Sequence, residues 1–216
     1  MGKTYTLTLL LAAFFCYAKA QFPKDIVGSF RHKPKFFFNF IGYTSYISGD
    51  VATFSGIRLG LNYNKTVKIG IGLAGLNSPV VTAIDITEEG QTYTTNATLN
   101  YGYLEGYFEY IFYNKDRWQF SVPIAIGAGS AYYSYVSRTD TTKLIKLIPS
   151  SIWTVEPSVA AQYTILRWLG AGASLGYRQT LYAQPKIDEN FNSVTFSIGL
   201  RLFLDEIYKM IFKKGE

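Results

Sequence analysis

The sequence predicts an all-β protein, a transmembrane eight-stranded antiparallel up-and-down β-barrel with a short C-terminal amphipathic helix, and three observations predict it. Period-two alternation of apolar and small or polar residues recurs in eight segments. Short and mostly longer connections follow one another between those segments. Charged and aromatic residues each make up 17 % of the chain, too many rings and too few charges for a water-facing surface but expected of a barrel with aromatic girdles.

Residues 1–20 read as a signal peptide outside the fold. Lys3 supplies a basic start, Leu7 to Phe15 an apolar run, and Ala18-Lys19-Ala20 a small-x-small cleavage site. Cys16, the one cysteine, falls inside this leader, so the mature chain holds no disulfide. Loss of Lys3 and Lys19 lowers the formal charge from +6 to +4, and export together with the lack of a central basic run argues against nucleic acid as a partner. After Ala20 no stretch reaches the roughly 18 continuous apolar residues of a spanning helix. A membrane form must then be a closed barrel, the other structure that satisfies every backbone group in lipid.

Residues 21–34 form a basic flank with Phe22, Ile26, Val27 and Phe30, suited to the inner membrane surface. The barrel is assigned to residues 35–204. Its first strand runs near Lys35–Tyr46. The second, Thr53–Tyr63, sets Ile57, Leu59, Leu61 and Tyr63 against Gly56, Arg58, Gly60 and Asn62. The third sets Val67, Ile69, Ile71 and Leu73 against Lys68, Gly70, Gly72 and Ala74. The fourth, about Ala97–Tyr113, sets Leu104, Phe108, Tyr110 and Phe112 against Tyr103, Glu105, Tyr107 and Glu109. The fifth, Arg117 to about Tyr133, carries Trp118, Phe120, Val122, Ile124 and Ile126 on one side and Gln119, Ser121, Ala125 and Gly127 on the other.

The sixth strand, about Ser151–Thr164, opposes Trp153, Val155, Val159 and Tyr163 to Thr154, Glu156, Ser158 and Gln162. The seventh, Trp168–Arg178, opposes Leu169, Ala171, Leu175 and Tyr177 to Gly170, Gly172, Ser174 and Arg178. The eighth, Ser193–Leu204, opposes Val194, Phe196, Ile198 and Leu200 to Thr195, Ser197, Gly199 and Arg201. Residues 205–216 read as a helix or tail, with Asp205 and Glu206 in the first turn, Lys213 and Lys214 in the last, and Ile207, Met210 and Ile211 on one face.

Connections at Asn64-Lys65-Thr66, Asn114-Lys115-Asp116 and Leu166-Arg167 are short; those at Ser48-Gly49-Asp50, Asn77–Asn96, Val136–Ser150 and Gln179–Asn192 are assigned to the longer set. That alternation places the N-terminus and short turns in the periplasm and the long loops outside a bacterial outer membrane. A soluble carrier barrel is the rival architecture, but its water-facing side would be the one rich in Gly, Ala and Ser. The strand charges Arg58, Lys68, Glu105, Glu109, Glu156, Arg178 and Arg201 all fall on that small-residue face, which makes it an enclosed lumen crossed by an ion network. Eight strands leave an interior just wide enough for side chains.

The last strand, Ser197-Ile198-Gly199-Leu200-Arg201-Leu202-Phe203-Leu204, carries the polar-x-Gly-x-x-apolar-x-apolar pattern on Ser197, Gly199, Leu202 and Leu204. With the alternation it resembles small eight-stranded outer-membrane barrels of the OmpA/OmpX type over about residues 35–204. The resemblance implies recognition of this strand by the barrel-assembly machinery, although Asp205–Glu216 follow a signal that in that family usually ends the chain. It also implies outer-membrane lipid and lipopolysaccharide as surroundings.

The single histidine, His32, lies before the first strand, far from the loops where lipid-modifying barrels work. It offers no base for an activated nucleophile and no ligand set for a transition metal. Neither a catalytic residue nor a cofactor is assigned. The expected function is non-enzymatic, envelope-structural or surface-interaction through the long loops, with Tyr93, Tyr132, Tyr133 and Tyr135 as contact residues. A narrow small-solute channel and a subunit of a larger envelope complex, with an envelope protein as partner, stand as alternatives; a lipid-modifying enzyme ranks below both.

Overall fold

The structure, a computed structural model, describes residues 22–88, 90–138, 142–184 and 189–202. The leader, Leu204 and the helix expected over 205–216 lie outside them. A helix, α1 (Phe22–Ser29), precedes ten strands: β1 (Lys35–Ile47), β2 (Asp50–Tyr63), β3 (Val67–Leu76), β4 (Val80–Glu88), β5 (Gln91–Lys115), β6 (Trp118–Val136), β7 (Leu144–Lys146), β8 (Ser150–Leu166), β9 (Leu169–Ala183) and β10 (Ser193–Leu202). Eight of the strands close an antiparallel ring in the order β5-β3-β2-β1-β10-β9-β8-β6 and back to β5, while β4 and β7 extend its rim.

The alternation sorts the side chains as the sequence predicts, except at the start of β3, where Val67, expected on the outward side, is fully buried beside Lys68. Leu59, Ile71, Leu73, Leu104, Ile126, Val159 and Leu175 point outward and are exposed, forming the aliphatic band that a bilayer covers in this fold. Lys68, Glu105, Glu109, Tyr103, Tyr107, Thr154 and Arg178 point inward and are buried. Rings flank the band. At the short-turn end Trp118 stacks on Phe120 at 5.7 Å and meets Tyr163 at 4.9 Å. Toward the other end Tyr46, Trp153, Tyr177 and Tyr182 are exposed.

Four features differ from the sequence reading. The Ser48-Gly49-Asp50 connection is a two-residue turn, because Ile47 pairs with Asp50 and both Ser48 and Gly49 have positive φ (51° and 96°), the geometry that matches strand twist. Residues 77–96 are mostly strand: β4 and the start of β5 pair from Val80↔Leu99 to Glu88↔Gln91. Their Val, Ile and Thr content favours a pleated sheet. The pattern of β5, β6 and β9 also continues past the predicted ends, to Gln91, Val136 and Ala183. Finally, the N-terminal flank contains α1, fastened to the turn end by Phe30 against the Tyr63 ring (4.8 Å) and by a Tyr110 hydroxyl donating to Asp25 (3.4 Å).

Candidate functional site

Two places concentrate polar chemistry: the lumen, and the sheet that rises beyond the band at the loop end. In the lumen the predicted charges form three stacked pairs. Nearest the turns, Lys68 and Glu109 face each other in register across β3 and β5, with Nζ to Oε2 3.1 Å, and the Tyr107 hydroxyl donates to the same carboxylate. Midway, the Arg58 guanidinium grips Glu105 with two nitrogens, Nε to Oε1 and Nη2 to Oε2 (3.1 Å), and lies 4.3 Å over the Tyr107 ring.

Gly72 makes this second pair feasible. It stands between the two partners, in register with Arg58 on one side and Glu105 on the other. A Cβ there would sit 2.6 Å from Glu105 Oε1 and 2.9 Å from Arg58 Cγ. The small residues of the inward face are thus the space through which long side chains reach across a strand.

Toward the loops, Arg178 Nε lies 3.7 Å from Glu156 Oε2, and the Thr195 hydroxyl donates to Glu156 Oε1 at 3.1 Å. The Arg178 guanidinium packs over Phe54 (4.5 Å) and Tyr43 (5.5 Å), whose hydroxyl is bonded to that of Tyr103. Position 201 pairs with Gly170 on β9, and the Arg201 side chain lies outside the described residues. Of the final-strand pattern, Ser197, Gly199 and Leu202 sit on β10 in register with Ser174, Gly172 and Leu169.

Above the ion pairs the lumen is filled by an apolar plug. Phe54, Leu99, Tyr101, Tyr103, Tyr133, Ile152 and Phe191 are buried there in one cluster. Phe191 arrives on the connection between β9 and β10, which is sewn to the mouth at several points. Glu189 accepts from Thr82 (2.9 Å) and from Tyr133, and Ser48 and Asn190 exchange bonds of 3.0 Å. Tyr133 and Tyr135 therefore face inward, not out to a partner as expected; the pleat set at Ala131 continues through them. Phe54 shares its parity with Arg58, so its inward position was open to the same reasoning.

The hairpin β4–β5 is clasped to β6 by Glu88. Its carboxylate accepts from the hydroxyls of Tyr93 (2.5 Å), Tyr135 (3.1 Å) and Ser137 (3.2 Å), and Arg138 lies 5.5 Å from the Tyr93 ring centre. The Tyr93 bond, first among these, holds the Glu88 carboxyl below its ordinary value. A carboxyl with a depressed folded pKa contributes stability above its unfolded value, near 4.3, and that contribution is lost as pH falls through the folded one. Amide protection in residues 80–100, taken relative to the intrinsic exchange rate at each pH, is therefore expected to fall on acidification below about pH 4. Glu88→Gln should lower this protection at neutral pH and remove its acid dependence; an unchanged protection profile would exclude Glu88 as the clasp.

Among the described residues no group of His, Cys, Asp and Glu could hold a metal ion. His32 sits at the turn end beside α1, in a cleft lined by Lys24, Asp25 and Lys65. The arrangement offers a charge-paired interior, closed at the loop end by an apolar plug, and a braced projecting sheet.

No protein-family model matches the chain, and no curated protein matches it in sequence. Solved structures do. Neisserial surface protein A is similar with a TM-score of 0.55 at 11 % identity, covering 79 % of this chain and 99 % of that one. The N-terminal β-barrel domain of Pseudomonas aeruginosa OprF gives 0.46 at 11 % identity, with 79 % and 98 % covered. The attachment invasion locus protein Ail of Yersinia pestis gives 0.42 at 11 %, with 78 % and 96 % covered. The likeness to the first of these establishes the fold: a small eight-stranded barrel of the outer-membrane type.

Proposed function

We propose, with that fold as premise, that the chain is a non-enzymatic outer-membrane protein whose barrel is a sealed anchor and whose projecting sheet is the working surface. The observation that carries this is the pairing of a plugged mouth with a hairpin braced from two sides, at Glu88 and at Glu189. A channel would have no use for Phe191 across its lumen. A loop without a surface role would not need a clasp of three hydroxyls.

In this reading the short turns and α1 face the periplasm and the loop end faces outward, after export on a leader cleaved behind Ala20. Lipid contacts the aliphatic band. Lipopolysaccharide would lie alongside the outward Tyr132, whose ring has Lys146 Nζ 5.7 Å from its centre. The final strand would present Ser197, Gly199, Leu202 and Leu204 to the barrel-assembly machinery. The outward side of the hairpin, with Asp85, Thr87, Thr92, Thr94 and Asn96, is polar and suits a protein or glycan partner in the envelope or beyond it.

The test is co-purification from native envelopes of the full chain and of a variant in which residues 82–97 are replaced by a two-residue Asn-Gly turn. Both forms should insert, shown by heat-modifiable migration in gels, and the shortened one should lose its co-purifying partner. An identical partner set for the two would refute the surface role. Planar bilayers holding the purified protein are expected to stay silent, and stepwise conductance would replace the sealed anchor with a channel.

A further inference from the structure

We infer that the wall of the barrel contains a lateral site between β1 and β10 that takes the head of a single-chain, uncharged, hydroxylated amphiphile while its tail stays in the bilayer. The seam that closes the ring is unlike its neighbours. Every residue of β1 from Lys35 to Ile47 pairs with β2, and every residue of β10 from Ser193 to Leu202 pairs with β9. Between β1 and β10 the register holds a single pair among the described residues, Thr44↔Phe196.

Above that pair, side chains fasten the seam. The Tyr46 amide donates to Ser193 Oγ at 2.8 Å, and Ser45 Oγ lies 3.3 Å from the same oxygen. Below it the two strands flank a cavity of about 270 Å³. Its lining mixes inward residues with outward ones from both strands: Asn39 and Tyr43 with Phe40 and Gly42, and Ser197 with Ile198. The cavity thus reaches the strands where their ladder is missing and where, among the described residues, lumen and lipid face are not separated by paired backbone. In keeping with this, Phe40 is 73 % and Ile198 88 % exposed, since neither ring nor aliphatic chain packs across the gap.

The chemistry of the chamber selects the head. Its hydroxyls come from Tyr43, Ser158, Ser174, Thr195 and Ser197. Each has one bond inside the wall, to Tyr103, to the Pro123 carbonyl, between the two serines Ser174 and Ser197, and to Glu156. Each also has lone-pair capacity left to accept from a ligand hydroxyl. The two charges on its wall are already engaged, Arg58 with Glu105 and Glu156 with Arg178 and Thr195. An added ion would have to break one of these pairs, whereas a neutral polyol adds donors and acceptors without doing so. Strand edges in lipid need hydrogen-bonding partners, and a polyol head can supply both kinds to β1 and β10. Small-molecule sites run from roughly 300 to 1,000 Å³, so this one suits a glycerol head and its first methylenes, with the remainder of the chain lying between Phe40 and Ile198.

The proposal is independent of the hairpin surface, and its test uses the purified full chain with no partner. In phosphatidylcholine nanodiscs, native mass spectrometry should retain one 1-monolauroylglycerol per barrel, with retention of lauric acid at pH 8 at least tenfold lower. Ser158→Phe and Asn39→Leu, which fill the chamber from opposite walls, should each cut retention at least tenfold while leaving heat-modifiable folding intact. No retention by the unmodified chain would overturn the site. So would equal retention by either folded variant, which would mark the lipid as annular, or equal retention of laurate.

Discussion

Glu105→Ala is expected to lower the stability of the barrel by about 3 to 5 kcal/mol, the range for removing one member of a buried ion pair. Glu105 is 2 % exposed and accepts both guanidinium nitrogens of Arg58. Its loss leaves Arg58 charged in the lumen without its bidentate partner, over the Tyr107 ring and with its other carboxylate neighbour, Glu156, already taken by Arg178. Alanine cannot take its place, and the cost is that of an uncompensated charge more than of a lost contact. The double variant Arg58→Met with Glu105→Leu should recover most of the loss, because it removes both charges and fills the same space with apolar atoms. Urea unfolding from phospholipid vesicles, followed by tryptophan emission, measures both. A loss under about 1 kcal/mol for the single variant, the size expected of an exposed pair, would mean a wet lumen and would weaken the sealed-anchor reading.

Ile71→Arg should cost about 2 to 4 kcal/mol in a bilayer, the penalty for arginine near the midplane of a barrel's lipid face. Ile71 is 53 % exposed on the central part of β3, flanked outward by Ile69 and Leu73. The same change at Asn96, also outward but on the projecting hairpin, should be nearly neutral. The two sites share strand geometry, exposure and side-chain direction and differ in height along the barrel axis. In a soluble barrel both substitutions would place a charge in water and neither would matter. The contrast therefore measures where hydrocarbon ends, and equal effects at both positions would overturn the membrane assignment.

Most of the ring was legible because the signal it needs is local. Alternation runs through the central parts of β2, β3 and β5, and it puts Arg58, Lys68, Glu105 and Glu109 on the inward face without any knowledge of partners. Who pairs with whom was not legible, since the Arg58–Glu105 pair depends on the register of two strand contacts across Gly72. Tyr133 and Tyr135 resemble loop-end contact aromatics by residue type, whereas the parity running on from Ala131 turns them inward. The hairpin β4–β5 was hidden by its polar outward residues, which resemble loop composition. The helix α1 has eight residues, too few for a periodic pattern to stand out, although Pro23 in its first turn and Asp25 near its start fit a helix N-terminus. The seam lay beyond sequence reasoning altogether. It is set by how the first and last strands meet, and nothing within either strand encodes that.

The pleat that sorts side chains in the wall continues along β4 and β5 after they leave it, and this divides the hairpin's residues by their freedom to change. Val80, Ile86, Ala97 and Leu99 are tied to the packed interior, so polar substitutions there would be met by loss of the fold. Ala83, Asp85, Thr87, Thr92 and Asn96 hold nothing below them in place. Substitutions should therefore be tolerated at every second position of this segment, so that its outward face can change in chemistry while the architecture beneath it stays the same.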